Sequence, residues 1–281
     1  MNAKLIFVHA LSPLHAGTGR SVDVIDLPIA REKATNLPYL PGSSLKGVMR
    51  DQFPDVDDSK VPDAAKILPR MLFGTTEKGG AAIFSDQRLL LLPVRSLYGT
   101  FAWVTSPYVL RRFVREATAA GYSPPVVSNA DHTQVAQKTV LAYENKVYLE
   151  DLDLPVQTGA EAWADWLATR LFADQPEWQT MLRERLCIVP DDILNFLLAT
   201  ATEITARIRL KNDTKTVADG QLWYEEALPS ETVLVGLLAI NTHTPNEETT
   251  VVNAITNASQ HPLQLGGNAT VGRGLCRIAV C

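Results

Sequence analysis

The chain has 281 residues, of which 46% are hydrophobic and 20% charged, with a formal net charge of −5. Its length suits one large domain with insertions or two small ones, and its balance is that of a globular chain, not a disordered one. The acidic surplus argues against nucleic-acid binding through bulk charge, and no apolar run approaches the roughly 20 residues of a membrane span. The opening MNAKLIFVHAL lacks the length and the small-residue cleavage site of a signal peptide, so a cytoplasmic location is expected. Cys187, Cys276 and Cys281 form no CxxC pair; they read as reduced, mostly buried thiols, not as a zinc site.

The first element is a strand over KLIFVHAL, residues 4–11. The loop HAGTGRSVDVIDLPIARE follows, too irregular for a helix. Ser43 and Ser44 are candidate caps of a short helix beginning near Leu45. AAIFSDQRLLLLPV reads as a strand pair or a buried strand, and Tyr108 to Ala120 has helical spacing. Residues 138–154 predict a hairpin turning near Glu144 and Asn145. Three helical patterns occupy 160–203 and carry Trp163, Trp166 and Trp178, either as a subunit contact or as plain core. Strands resume at ARIRLK and TVLVGLLAI, with a polar, turn-rich NDTKTVADG between ARIRLK and WYEEALP that fits a projecting hairpin or loop. The chain ends in LQLGGNATVGRG and the strand LCRIAV. This order predicts an α+β fold, with a split βαβ, ferredoxin-like core as the natural candidate.

Four segments carry residue types that could do chemistry. The first loop holds His15, Gly17, Gly19, Asp23 and Asp26; the glycines permit close backbone approach, and the aspartates can bind metal, act as a base or cap a turn. Asp26 precedes Leu27-Pro28, so Leu27 is held extended; an Asx-turn or an ion pair with Arg31 is the structural alternative. In PGSSLKGVMR, two serines and free amides at a helix start, with Lys46 and Arg50 on one face, make a phosphate site or an ordinary capped helix. No GxxxxGK[ST] motif is present, so nucleotide triphosphate binding is not implied. GGNATVGRG, with four glycines, Thr270 and Arg273, is donor-rich and can follow a phosphate backbone, or is a plain turn. Glu225 reads as a solvated acidic edge, and Glu226 as a possible second acid near Asp26.

In order, LSPLHAGTGRSVDVIDLPIARE, LPYLPGSSLKGVMRD, the 84–113 stretch FSDQRLLLLPVRSLYGTFAWVTSPYVLRRF, LWYEEALPSET and LQLGGNATVGRGL resemble the backbone subunit of the Cmr (type III-B) CRISPR effector complex, a member of the RAMP superfamily. The resemblance covers most of the chain outside 160–203. Single motifs such as SxLKGxxR are shared across RAMP proteins; the ordered set is specific.

The resemblance implies a modified ferredoxin-like (RRM-type) core in one domain, 1–281, with a helical insertion at 160–203 and a protruding β-hairpin thumb at 205–226. It implies copies stacked along a CRISPR RNA, each thumb wedging into the guide–target duplex, and target RNA cut beside each wedge. Asp26 falls on the catalytic position; His15, read from the residues alone, is a candidate to assist proton transfer or, as is commoner for a lone histidine beside a strand, structural. RNA contacts fall on Gly17, Gly19, Arg20, Ser43, Ser44, Lys46, Arg50, Lys211, Lys215, Gly266, Gly267, Thr270 and Arg273. Mg²⁺ is the implied cofactor, with Asp26 and Glu226 as metal candidates. The implied partners are CRISPR RNA, target RNA, further copies of this chain and the other Cmr subunits. A non-catalytic scaffold of the same complex, a Csm-type (type III-A) backbone subunit and a free-standing RNA-processing RAMP enzyme are the alternatives. Asn268 and Ala269 stand where the family often carries an acidic or otherwise polar residue.

Overall fold

A computed structural model describes residues 2–17, 25–128, 131–211, 213, 217–242 and 244–281, with backbone alone at 210 and 217–220. The first strand, β1 (Asn2–Ala10), is buried on both faces from Leu5 to Ala10, because its apolar run does not alternate. In chain order follow β2 (Tyr39–Leu40), α1 (Gly42–Arg50), α2 (Asp63–Phe73), β3 (Ala82–Phe84), β4 (Gln87–Arg95), β5 (Phe101–Thr105) and α3 (Pro107–Ala119). Then come β6 (Thr133–Val135), β7 (Ala142–Tyr143), β8 (Lys146–Leu149), β9 (Leu152–Thr158), α4 (Glu161–Leu171), α5 (Pro176–Arg185), β10 (Leu186–Ile188) and α6 (Asp191–Thr200). The last group is β11 (Glu203–Leu210), β12 (Val217–Ala227), β13 (Val233–Ile240), α7 (Pro245–Ala258), β14 (Leu263–Gln264) and β15 (Leu275–Val280).

The core strands run β15-β1-β13-β4, each antiparallel to its neighbour. With α1 between β1 and β4, and α7 between β13 and β15, this is the ferredoxin-like order 4-1-3-2 in an α+β fold. Beyond β4 the sheet continues through β5, β10, β6, β9, β8 and β7. β11 and β12 stand apart as a two-stranded antiparallel sheet, where a projecting hairpin or loop was expected. No helix among the described residues is long and apolar enough to cross a membrane.

Several expectations change. The 160–203 stretch holds three helices as expected, α4, α5 and α6, and also β10, which joins the sheet between β5 and β6 because LCIV is an apolar run too short for a helix. Its tryptophans face inward. Trp163 is 3% exposed, and Trp166 and Trp178 pack on the core, with Trp166 edge-on to Phe113 at 5.4 Å. All three pack on the core, Trp163 buried and Trp166 and Trp178 partly so. The hairpin at 138–154 resolves into β7, β8 and β9, with Glu144 and Asn145 both at positive φ in the first turn. α2 and α7 were not anticipated. The described thiols fit expectation: burial pushes Cys187 and Cys276 up to about 12, so neither supplies a thiolate.

An ion-pair network ties the Asp26 loop to α3. Arg112 donates from both terminal nitrogens to Glu32, at 2.7 and 2.6 Å, and Arg88 bridges Glu32 and Glu116. The Arg112 guanidinium, more than any other group, holds the Glu32 carboxyl at about 2 instead of 4.5. A carboxyl depressed by folding adds stability that is complete above the unfolded value of 4.5 and is lost as pH falls toward 2. Glu32→Gln is expected to lower stability at neutral pH by about 1 kcal/mol after solvent screening. It should also flatten the acid-induced loss between 4.5 and about 2. Thermal unfolding at stepped pH tests this; equal acid sensitivity in variant and parent would show that Glu32 is not its source.

Candidate RNA-binding and cleavage site

A cleft of about 520 Å³ opens where three separate segments meet. His15 and Gly17 come from the loop after β1, Ser43, Ser44 and Gly47 from α1, and Gly266 and Gly267 from the turn after β14. Three of the sequence constellations are thus brought together.

The α1 wall is seated by a group outside it. The helix begins at Gly42, not near Leu45, and its N-cap is Pro41 with no side-chain cap. The Gly42 N–H donates instead to Asp86 Oδ1 at 2.9 Å. A Cβ at Gly42 would clash with the Phe84 carbonyl, so only glycine lets α1 lie against the β3–β4 turn. Ser43 and Ser44 therefore sit in the first helical turn facing the cleft, not as caps. Lys46 is half-buried, and exposed Arg50 pairs with exposed Asp57 at 3.4 Å, a contact weak enough to exchange for a phosphate.

His15 forms the floor. Its Nδ1 lies 2.7 Å from the Glu226 carbonyl oxygen, an acceptor, so Nδ1 carries the proton and donates. Nε2 is then the ring nitrogen left to exchange a proton. The ring has room because two neighbours lack side chains: a Cβ at Gly17 would lie 2.5 Å from Nε2, and one at Gly267 3.0 Å from Cδ2. Gly267 N–H also donates to the His15 carbonyl at 2.9 Å. Gly266 adopts φ 73°, and a Cβ there would clash with that same carbonyl.

Asp26 is exposed and lies outside the cleft lining. Its Oδ2 accepts the Tyr224 N–H at 2.8 Å. Leu27 bonds both ways to the same strand, donating to the Tyr224 carbonyl at 3.1 Å and accepting from Glu226 N–H at 3.0 Å. Asp26 and His15 therefore hang from β12 at anchor points two residues apart, roughly 7 Å along a strand.

Several candidates are committed elsewhere. Glu226 is buried, with Oε1 2.6 Å from Arg31 Nη2 and Oε2 accepting Ile29 N–H at 3.1 Å. That engagement corrects its reading as a metal ligand; it tethers the Asp26 loop. It also gives Arg31 a partner other than Asp26. Glu225 is buried, not a solvated edge: it accepts from Arg207 Nε, Trp223 Nε1 and Asn268 Nδ2. Arg273, expected on RNA, donates to Glu203 and Thr205 with its side chain 12% exposed. Thr270 is exposed in a single 3₁₀ turn, Ala269–Val271, and Lys211 is exposed at the end of β11. Gly19, Arg20, Asp23 and Lys215 lie outside the described residues. Sequence reasoning missed Asp86 and Asn268; an Asp in a strand-to-strand turn is a capping signal, but its helix lies 44 residues earlier.

The donor set does not fit a resident divalent ion. Among the described residues no group of three or more His, Cys, Asp or Glu side chains could hold one. Asp26 offers one carboxylate with one oxygen already engaged.

The RAMP superfamily description matches residues 7–277. The chain belongs to the RAMP superfamily. A RAMP relative from Pyrococcus furiosus, "CRISPR system Cmr endoribonuclease Cmr4", is 33% identical over 284 residues, covering 100% of this chain and 96% of its own. Among solved RAMP structures, oligomeric Cmr4 from Pyrococcus furiosus superposes with a TM-score of 0.79 at 29% identity, over 100% of this chain and 98% of that one. A chain of a type III-B Cmr-beta complex bound to cognate target RNA shares the fold, with a TM-score of 0.73 at 19% identity over 100% and 97% of the two chains.

Gly266→Ala is expected to destabilise the protein by about 1–3 kcal/mol, since it meets both a positive φ and the His15 carbonyl. Gly47→Ala, where an added Cβ meets nothing, should be neutral or stabilising by up to about 1 kcal/mol. Thermal unfolding of the two variants side by side makes the comparison; equal effects would show that the Gly266 turn is not constrained.

Proposed function

We propose that this chain is a backbone subunit of a type III-B Cmr CRISPR ribonucleoprotein, that it binds CRISPR RNA, and that it cleaves complementary target RNA. One observation supports this best: a cleft of about 520 Å³, lined by glycines, Ser43, Ser44, Asp51 and His15, is tied through the His15 ring to β12, the strand that also holds Asp26, at the root of a free-standing hairpin. The names of its relatives support it too, one being a Cmr endoribonuclease and another an oligomeric assembly. The partners proposed are CRISPR RNA, target RNA, further copies of this chain and the other Cmr subunits, in a cytoplasmic particle.

In this reading the guide backbone lies across the Ser43 and Ser44 hydroxyls and the Gly266–Gly267 turn, which suits anion recognition without a strongly basic surface. The β11–β12 hairpin wedges the duplex and frees a target nucleotide from A-form geometry, so that its 2′-OH can line up with the adjacent phosphate. Asp26 accepts the 2′-OH proton through its remaining oxygen, the 2′-oxygen attacks phosphorus, and the 5′-oxygen leaves with a proton, giving a cyclic phosphate and a 5′-hydroxyl. We assign delivery of that proton to His15 Nε2, the ring nitrogen that the bond to the Glu226 carbonyl leaves available. Mg²⁺ belongs to the proposal only as an ion brought with the RNA phosphates, because the carboxylates among the described residues form no cage.

A scaffold without catalysis is the second reading. It is favoured by the hydrogen bond that commits Asp26 Oδ2 to the Tyr224 amide, a structural role. Cleavage by the assembled complex decides between them. Asp26→Ala is expected to slow regularly spaced target cutting by about 10²-fold or more, with guide affinity unchanged within about 2-fold. Parallel reactions in Mg²⁺ and in EDTA read the ion's part. Unaltered cutting by the variant would make the chain a scaffold.

A further inference from the structure

The β11–β12 hairpin forms its own sheet, so its angle to the body is set by what grips its root. The outer edge of β12 is gripped by backbone bonds from Leu27 and by the Asp26 carboxylate. β11 is held from the other side by a residue of the glycine-rich turn, Arg273. Arg273 Nη1 donates to Glu203 Oε2 at 2.8 Å, and Nη2 to Thr205 Oγ1 at 3.1 Å. Glu203 and Thr205 are two apart on one face of the strand, so the planar guanidinium spans both and fixes orientation as well as distance. The same turn reaches β12, where Asn268 Nδ2 donates to Glu225 Oε2 at 3.1 Å. The turn is itself constrained: Asn268, Gly272 and Gly274 have φ of 63, 82 and 78°, and a Cβ at Gly274 would clash with the Leu265 carbonyl.

We infer that Arg273 is a positioning residue: it clasps β11 to the glycine-rich turn and so sets the hairpin's angle and, through the Tyr224 amide, the direction of the Asp26 carboxylate. The loop's arginine then serves the cut without touching RNA. The catalytic half of this inference rests on the proposed function; the mechanical half does not. It also accounts for Asn268, which stands where an acidic side chain would repel Glu225.

The test uses the full chain, alone and in the assembled complex, as Arg273→Ala, Arg273→Lys and the charge swap Glu203→Arg with Arg273→Glu. Hydrogen exchange over residues 222–226 should rise about 10-fold in Arg273→Ala and return toward wild type in the swap. Single-turnover cutting at saturating target should fall about 10-fold in Arg273→Ala, with guide affinity within about 2-fold, because a small misplacement of a base slows chemistry without weakening binding. Arg273→Lys should recover only part of each, lacking the fork. Unchanged exchange in Arg273→Ala overturns the clasp. A loss of guide affinity that the swap deepens assigns Arg273 to RNA contact and overturns the inference as well. If the wild-type complex does not cut, the proposed function fails, while exchange in the free chain still decides the clasp.

Discussion

An isolated hairpin leaves the outer edge of β12 with unpaired amides and carbonyls, and satisfying that edge organises the whole site. Leu27 pairs with Glu225 and Asp26 takes the Tyr224 amide, while Leu14 pairs with Leu228 just past the end of the strand. The Glu226 carbonyl takes the His15 ring. Among the described residues of the first loop, Leu27 bonds along β12 through both its amide and its carbonyl. Two residues proposed for proton transfer owe their positions to one strand, and that strand continues into the hairpin proposed to reshape the RNA.

Charge is used inward. Arg31, Arg88, Arg112, Arg207 and Arg273 each hold a carboxylate of this chain. Most of these contacts are partly buried, and removing one partner would leave a charge without its counter-ion. The arginines are thus engaged in assembling the loop, α3, the hairpin and the glycine-rich turn. What faces the cleft, apart from the Asp51 carboxylate, is hydroxyls, the His15 ring, apolar side chains and the space left by missing ones. A net charge of −5 is compatible with such a site, since hydroxyls and a close-approaching glycine turn can bind phosphate through local geometry.

The segment from 84 to 113 has a structural reason for its composition. Asp86 caps α1, Ser85 Oγ accepts the Leu237 amide, and Gln87 packs where any Cβ on Gly236 would collide. LLLLPV is the buried run of β4, and Trp103 is fully buried, with Nε1 donating to the Glu231 carbonyl at 2.8 Å. Nothing in this stretch touches the cleft; it carries the parts that do.

Much of the architecture was legible in the chain because it depends on local pattern. The apolar run of β1, the period of α3, the Glu144-Asn145 turn and the paired strands around the polar 211–220 stretch are all short-range signals. α7 was not legible, because only Val251 and Ile255 are buried on it, although Thr244 and Glu247 form a cap that marks its start. At the site, sequence by itself determined the residue types: glycines where backbones must approach, serines at a helix start, an aspartate before an extended Leu-Pro. Only the tertiary structure decided which charges remain free. Arg31 and Glu226 are 195 residues apart, and Arg273 and Glu203 are 70 apart. Such pairs form only after the sheet has brought distant segments to one strand, so no local spacing could reveal that Glu226 and Arg273 hold the site together from within.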